Sequence, residues 1–207
     1  MSDSHNPWIS PDERPNEDEP ASRPVEDGLH DIKVETTGPV APQPGNGITA
    51  NGGLPVRTTA EKARLWWVGA HGGAGETTLS KLLNGSRDAH HAWPVPANPE
   101  LGSSAVVLCC RTNAAGLQAA QEALTQWASG AVPGVQLLGL VLIADAPTKL
   151  PKALKEYSKL VGGGAPRTWD LPWVEEWRTD SPATNSDLRS SNRKLRRFIR
   201  SAEHLIT

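Results

Sequence analysis

The sequence of 207 residues is poor in several residue types that mark particular classes of protein. It contains two cysteines, one methionine, one tyrosine and one phenylalanine, although tryptophan occurs eight times. No apolar run reaches the length of a membrane span, so we expect no transmembrane segment and no membrane partner. The formal net charge of −2 gives no overall signal for nucleic acid or anionic lipid. These deficits favour a soluble globular protein.

The scarcity of cysteine also bears on the cellular compartment. The two cysteines are the neighbours Cys109 and Cys110. Adjacent residues of a strand point to opposite faces of a sheet and make a poor disulfide, so a reducing cytoplasm is the expected location. The acidic N-terminus lacks the basic and apolar regions of a signal peptide, which agrees with a cytoplasmic protein.

The N-terminal part of the chain differs in composition from the rest. Residues 1–58 have no sustained periodicity, many prolines, few large apolar side chains and an excess of acidic residues. Such a segment buries too little apolar surface to offset an ordering entropy of roughly 1–2 kcal/mol per residue. The sequence therefore predicts a disordered acidic tail over residues 1–58 and a folded domain over residues 59–207.

One stretch, residues 65–83 (LWWVGAHGGAGETTLSKLL), carries a pattern that is typical of a ligand site. An apolar run leads into a glycine-rich turn, and the following apolar residues have helical spacing, which predicts a strand, a loop and a helix. Glycines in the loop allow several N–H groups to turn inward and form an anion cradle. The candidate nucleotide- or anion-binding residues of this stretch are Gly72, Gly73, Ala74, Gly75, Glu76, Thr77 and Thr78.

The stretch matches the phosphate-loop pattern G-x-x-x-x-G-K-[ST] only in part. Gly75 and Thr77 occupy the positions of the last glycine and the magnesium-binding hydroxyl, and ATP with magnesium is the cofactor that the pattern suggests. The first glycine is replaced by Ala70 and the lysine by Glu76. A carboxylate at the lysine position repels phosphate, so the residue argues against catalysis.

The remaining chain predicts alternating strands and helices. The pattern indicates strands near 105–110, 135–144 and 166–171, and helices that begin at Asn113 and Pro151. This order predicts a three-layer α/β fold with a mostly parallel sheet, and the glycine-rich loop makes it similar to the P-loop NTPase type. Ligands bind beyond the carboxyl ends of such strands, which adds Arg111 and Asp145 to the candidate site.

The segment 84–104 contains several turn-forming residues and predicts a loop with at most a short strand near Trp93 to Val95. We expect no second strand there that ends in a magnesium-binding aspartate. Asp88, His90 and His91 lie close together, but two adjacent histidines and one aspartate are too few ligands to predict a metal site.

The C-terminal residues 186–207 show apolar side chains at helical spacing and cations on the other face. Such a helix is either an ordinary solvated surface, a cover for the acidic tail, or a contact for nucleic acid. The candidate nucleic-acid residues are Arg193, Lys194, Arg196 and Arg197.

The loop AHGGAGETT at residues 70–78 resembles the deviant P-loop of the ParA/MinD family, which reads roughly G-K-G-G-V-G-K-T-T. The order of the later strands and helices follows that family more loosely. The loop is also similar to that of a group of actinobacterial proteins with a GAHGGAGE-type sequence. The resemblance implies a nucleotide-sandwich dimer, two catalytic lysines and two magnesium aspartates, but the lysine positions here hold His71 and Glu76. It also implies that Asp145 stands where the family often reads the base.

Three functions follow from these patterns. The first is a non-hydrolysing relative of ParA/MinD proteins that acts through a protein partner, or as a homodimer, in plasmid or chromosome maintenance or transfer. The second is a weak nucleotide-binding protein or NTPase that takes its cation from Lys81, from Arg111 or from a second subunit. The third is a DNA-binding accessory protein that uses the basic helix.

Overall fold

The computed structural model describes residues 36–45, 47, 52–179 and 193–205. Apart from a 3₁₀ turn at Pro99–Leu101, the elements in these ranges follow the order β1 Val56–Thr59, β2 Leu65–Gly69, α1 Glu76–Ser80, β3 Ser86–Asp88, β4 Trp93–Pro96, β5 Ser104–Arg111, α2 Ala114–Ala128, β6 Val135–Ile143, α3 Lys152–Gly162, β7 Thr168–Leu171, α4 Glu176–Thr179 and α5 Arg193–His204.

The centre of the fold is a five-stranded sheet with the order β3-β2-β5-β6-β7. Each recorded pairing in this sheet is parallel. The strands β2, β5 and β6 are almost entirely buried, as their near-continuous apolar sequences predict for parallel strands that are covered on both faces. The prediction of a mixed α/β fold with a mostly parallel sheet is confirmed.

Helices cover both faces of the sheet and divide the core in two. Alternate residues of β5 point to opposite sides, so that Val106 and Leu108 pack with α2 and α3, whereas Val107 and Cys109 pack with α1 and α5. Both cores consist of aliphatic residues and tryptophan. This division explains why the carboxyl ends of the strands, at one edge of the sheet, remain available for a site.

Helix α2 begins where the sequence predicts. The side chain of Asn113 accepts a hydrogen bond from the Gly116 N–H at 2.8 Å and satisfies one of the free donors of the first turn. The apolar spacing predicts a helix that includes Leu82 and Leu83. Helix α1 is shorter: it ends at Ser80, and these two buried leucines lie in the turn that follows.

The expectation of a loop without a second strand in residues 84–104 is wrong. Residues Ser86–Asp88 form β3, which pairs in parallel with β2 and ends in an aspartate. The three side chains are polar because β3 is the edge strand of the sheet, so the strand lacks the apolar pattern by which buried strands are found in a sequence. The short strand expected near Trp93 to Val95 is present as β4.

The folded part begins earlier than the boundary at residue 58. Strand β1 pairs in parallel with β4, and Leu54 belongs to the core on the α2 side. Residues 36–45 also contact the domain, since the Thr37 N–H donates to the Pro166 carbonyl and the Gln43 N–H donates to the Ala128 carbonyl. The composition of this segment did not predict that these residues join the fold, because they include few large apolar side chains. The rest of the predicted tail lies outside the described residues.

Helix α5 packs its apolar face on the sheet. Phe198 contacts the rings of Trp67 and Trp169 at centroid distances of 6.0 and 6.1 Å, and Leu195 and Ile199 are buried beside it. The predicted amphipathic helix is present over Arg193–His204, and the earlier part of the predicted range lies outside the described residues.

Candidate functional site

The glycine-rich loop joins β2 to α1 at the carboxyl edge of the sheet. Its first residue is fastened to the neighbouring strand, because the Ala70 N–H donates to the Cys109 carbonyl at 2.9 Å. Gly75 precedes α1 with a φ of 99°, a left-handed conformation that favours glycine. The predicted strand, loop and helix are therefore present.

Glu76, at the lysine position of the loop pattern, is the most unusual residue of the site. Its side chain is buried, with 3% of the residue exposed. One carboxylate oxygen accepts the Gly69 N–H at 2.5 Å and the His91 N–H at 3.3 Å, and the other lies 2.8 Å from the His91 Nδ1. The carboxylate is thus turned inward, where it is held by two backbone donors and an imidazole.

Burial has an electrostatic consequence for this carboxylate. It raises the pKa of Glu76 above its ordinary value, and the Gly69 N–H opposes the increase by stabilising the ionised form. Gly69 must lack a side chain for this arrangement, because a Cβ there would lie 2.7 Å from the His91 Nδ1 and 3.0 Å from the Glu76 carboxyl carbon. The close packing of Glu76 and His91 against the end of β2 therefore requires glycine at position 69.

The turn after β3 brings His91 to Glu76. His90 and His91 have φ values of 53° and 55°, in the left-handed region that non-glycine residues seldom adopt. The turn is stabilised by the Asp88 side chain, which accepts the His90 N–H at 2.7 Å. Two successive residues in this region cost free energy, and the contacts to Glu76 and Asp88 offset that cost.

Thr77 and Asp88 form a second polar contact at the same edge. The Thr77 hydroxyl donates to the Asp88 carboxylate at an oxygen–oxygen distance of 2.5 Å. Sequence analysis missed Asp88 as a partner of the loop because β3 is a three-residue polar strand. The only indication of this contact in the sequence was a hydroxyl residue after the loop and an aspartate eleven positions later.

A cleft of about 630 Å³ opens beside this contact, between β1 and β3. Asp88 and His90 line it together with Arg57, Glu61 and Arg87. The Arg87 guanidinium is paired with the Glu61 carboxylate at 2.8 Å across the cleft. The cleft therefore contains charges of both signs and gives no preference for an anionic ligand.

Arg111, at the end of β5, fastens the loop to the sheet. Its guanidinium donates to the Gly73 carbonyl at 3.2 Å and to the Ala144 carbonyl at 2.9 Å. Its main-chain N–H donates to the His71 Nε2 at 3.1 Å, and the His71 Nδ1 lies 2.8 Å from the Gly72 carbonyl. A neutral imidazole with its proton on Nδ1 satisfies both contacts. Arg111 is thus engaged by protein carbonyls on two sides.

Asp145 lies beyond the end of β6 and is engaged locally. Its carboxylate accepts the Thr112 hydroxyl at 2.9 Å, and its own N–H donates to the Thr112 hydroxyl oxygen at 3.3 Å. The contact ties the ends of β5 and β6 together. The structure therefore brings the loop residues 72–78 and Arg111 into one cluster. Asp145 lies at the margin of this cluster, because it follows Ala144, whose carbonyl accepts from Arg111.

The other predicted cations lie elsewhere. Lys81 is the C-cap residue that follows α1, at the opposite end of that helix from the loop. Arg193, Lys194, Arg196 and Arg197 are exposed on α5, on the face that points away from the core.

The residues present fit a magnesium nucleotide poorly. Thr77 and Asp88 offer two oxygen ligands, but the position that should supply the phosphate-binding cation holds the buried Glu76. Within the described ranges, no group of three or more His, Cys, Asp or Glu side chains is arranged to hold a metal ion. Burial raises the pKa of Cys110 to about 12 and raises the pKa of Cys109 well above its ordinary value, so neither thiol supplies a nucleophile at neutral pH.

Residues 63–194, which include the loop, the Glu76–His91 contact and the whole five-stranded sheet, match a family of unknown function (DUF6668). The chain belongs to this family. No curated protein and no solved structure matches it. Among the described residues, no helix is long and apolar enough to cross a membrane.

Proposed function

We propose that this member of the DUF6668 family is a catalytically degenerate ParA/MinD-like P-loop protein, a non-hydrolysing scaffold or regulatory partner in plasmid or chromosome maintenance or transfer. It acts through a protein partner and needs no nucleotide. The observation that carries the proposal is the buried carboxylate of Glu76, which is hydrogen bonded to Gly69 and paired with His91 at the position where a P-loop needs a lysine.

Electrostatics supports the loss of nucleotide binding. At a separation of roughly 4 Å and an effective dielectric constant of about 20, a lysine at this position would attract phosphate by about 4 kcal/mol per charge pair, and this attraction is lost because the inward-pointing Glu76 stands in its place. Every 1.4 kcal/mol changes an affinity about tenfold, so even part of this change removes a micromolar site. Arg111 does not compensate, because its guanidinium is held by the Gly73 and Ala144 carbonyls.

The test is calorimetry of the full chain with ATP, ADP, GTP and GDP in the presence of magnesium. The proposal expects no saturable heat up to millimolar nucleotide. Micromolar binding of any one of the four would contradict it. Circular dichroism of the same sample, which should show a folded α/β protein, guards against a false negative.

A weak nucleotide-binding protein or NTPase is a second candidate, and the contact between Thr77 and Asp88 favours it. A hydroxyl beside a carboxylate is the arrangement that holds magnesium in nucleotide hydrolases. The missing cation would then come from Lys81, from a rearranged Arg111, or from a second subunit.

This candidate predicts steady phosphate release that disappears in Thr77→Ala. Ser80→Ala is the matched control, because that hydroxyl lies on the same helix but donates to the Thr77 carbonyl. Absence of turnover in the wild type, together with nucleotide binding that appears only in Glu76→Lys, would exclude the second candidate.

A DNA-binding accessory protein is a third candidate, supported by the exposed cations of α5. Four of them, Arg193, Lys194, Arg196 and Arg197, stand on a helix whose opposite face is buried. Replacing all four by Gln should weaken duplex binding and reduce its salt slope by up to about 3.6, at about 0.9 per phosphate contact.

The matched control removes the same charge from another surface, by replacing the exposed Lys149, Lys152, Lys155 and Lys159 by Gln. Equal losses in the two quadruple variants would show unspecific attraction only, and an unchanged duplex mobility at low salt would exclude this candidate.

A further inference from the structure

An imidazole ring lies between the two ends of the glycine-rich loop. The ring of His91 contacts Gly69, the last residue of β2, and Glu76, the first residue of α1, which come before and after the loop residues 70–75. Its Nδ1 lies 2.8 Å from a carboxylate oxygen of Glu76 and 3.3 Å from the carbonyl oxygen of Gly69. The ring is therefore fixed at the carboxyl edge of the parallel sheet, where ligands of α/β proteins bind.

The contacts of His91 determine which ring nitrogen carries the proton. Both neighbours of Nδ1 are hydrogen-bond acceptors, so the neutral ring has its proton on Nδ1 and an electron pair on Nε2. Among the residues that the structure describes, none forms a hydrogen bond with Nε2. The side chain is 43% exposed although Nδ1 faces inward, so solvent and small ligands reach the outer side of the ring.

A fixed carboxylate that holds an imidazole makes histidine an effective nucleophile. The Glu76 side chain is only 4% exposed, and its second oxygen accepts the N–H groups of Gly69 and His91, so the carboxylate itself cannot turn away. When Nε2 forms a new bond, the ring gains a positive charge, which the adjacent carboxylate stabilises. The left-handed φ of 55° at His91 agrees with such a role, because strained backbone residues cluster at active sites.

The charges around His91 favour a neutral acyl ligand over a phosphate. The Asp88 carboxylate is close enough to Glu76 to raise the pKa of that residue by repulsion, so two negative groups lie at this edge. They would repel an anionic phosphate but not a neutral carboxylic ester. The N–H groups of Gly72 and Gly73 donate to no residue in the described part of the chain, and N–H groups of this kind stabilise the oxyanion that forms in acyl transfer.

We propose that His91 is a nucleophile toward a neutral carboxylic ester and that Glu76 positions its ring. The Nε2 electron pair forms a bond to the carbonyl carbon, the bond from that carbon to the alcohol oxygen breaks, and the leaving alkoxide takes a proton from solvent. Water then attacks the acyl carbon, the carbon–nitrogen bond breaks, the carboxylic acid leaves, and one proton of that water returns to solvent. Nε2 regains its electron pair, and the net reaction is hydrolysis of the ester. This activity goes beyond the proposed function and holds whether or not a nucleotide binds.

The test is hydrolysis of p-nitrophenyl acetate by the full chain, followed as release of p-nitrophenolate. His91→Gln should lower the rate at least about tenfold, because the oriented nitrogen is lost. His90→Gln is the matched control and should keep the wild-type rate. The His90 side chain is 70% exposed, and its Nδ1 lies 3.4 Å from the Asp88 carboxylate, so it would be the more reactive histidine if exposure alone mattered. Equal losses in the two variants, or an unchanged rate in His91→Gln, would overturn the proposal.

The positioning role of Glu76 has a separate readout. Diethyl pyrocarbonate transfers an ethoxycarbonyl group to imidazole nitrogen, and tandem mass spectrometry gives the labelling rates of His90 and His91 in one sample. His91 should react faster than His90 in the wild type, and Glu76→Gln should slow His91 several-fold while leaving His90 unchanged. Local unfolding would have the opposite effect, because it would expose His91 and accelerate its labelling. Faster labelling of His90 in the wild type, or undiminished labelling of His91 in Glu76→Gln, would refute the proposed site.

Discussion

At the scale of single residues, one substitution changes the chemistry of the loop. A lysine there would project toward phosphate, whereas Glu76 points inward and uses the Gly69 N–H and His91 as partners. The identity of the residue could be read from the sequence, but its direction could not. The partner His91 belongs to a turn with positive φ values, which no sequence pattern indicated.

Removing the carboxylate should destabilise the protein. Glu76→Ala leaves the Gly69 and His91 N–H groups without an acceptor in a buried place, and we expect the free energy of unfolding to fall by about 3 kcal/mol. Urea denaturation measures the change. Glu156→Ala, at an exposed glutamate of α3, is the control and should stay within about 0.5 kcal/mol of the wild type. Equal effects of the two would refute the structural role of Glu76.

The raised pKa of Glu76 gives a pH dependence with a definite sign. Because burial favours the protonated carboxyl, the stability that this group contributes is complete below its ordinary pKa of 4.5 and is lost as the pH rises through the raised value. The unfolding free energy of the wild type relative to Glu76→Gln should therefore decrease between pH 4 and pH 7. A relative increase would mean that the hydrogen bonds and His91 outweigh burial.

At the scale of elements, buried strands and amphipathic helices were predictable and edge elements were not. The strands β2, β5 and β6 have long apolar runs because helices cover them on both sides. Strand β3 is polar and three residues long, and β1 lies in a segment of tail-like composition. Their pairing depends on neighbouring strands, which local sequence does not describe. The contact between Thr77 and Asp88 was missed for this reason.

Helix α5 should depend on its aromatic contact. Phe198→Ala removes a ring that packs between Trp67 and Trp169, and we expect a loss of about 3–5 kcal/mol in the free energy of unfolding. Arg197→Ala, at the exposed neighbour, should change stability by less than about 0.5 kcal/mol. Tryptophan fluorescence during urea denaturation follows both variants. A small effect of Phe198→Ala would show that α5 is not held by this contact.

The N-cap of α2 should contribute on a smaller scale. Asn113→Ala removes the acceptor of the Gly116 N–H, and the free energy of unfolding should fall by about 1 kcal/mol. Asn113→Asp keeps an oxygen acceptor and should restore most of the loss. Thermal unfolding of the three proteins provides the comparison, and equal midpoints would contradict the capping role.

At the scale of the whole molecule, a parallel α/β fold has a glycine-rich loop at the carboxyl ends of its strands, with a carboxylate at the position where the phosphate-loop pattern has a lysine. The parallel sheet, the loop after β2 and the aspartate at the end of β3 are all present, yet Glu76, Asp88 and Arg111 beside the loop already have protein partners. Fold class followed from the alternation of strands and helices, whereas these pairings could be seen only in three dimensions. This combination is the basis of the proposal that the protein works through a partner and not through a nucleotide.

The most direct test of this account is a calorimetric titration of magnesium ATP into the wild-type full chain. The account predicts no saturable heat, because the lysine that would bind the phosphates is replaced by Glu76, whose side chain points inward onto Gly69 and His91. Micromolar binding that Thr77→Ala abolishes would contradict the account and establish a working nucleotide site.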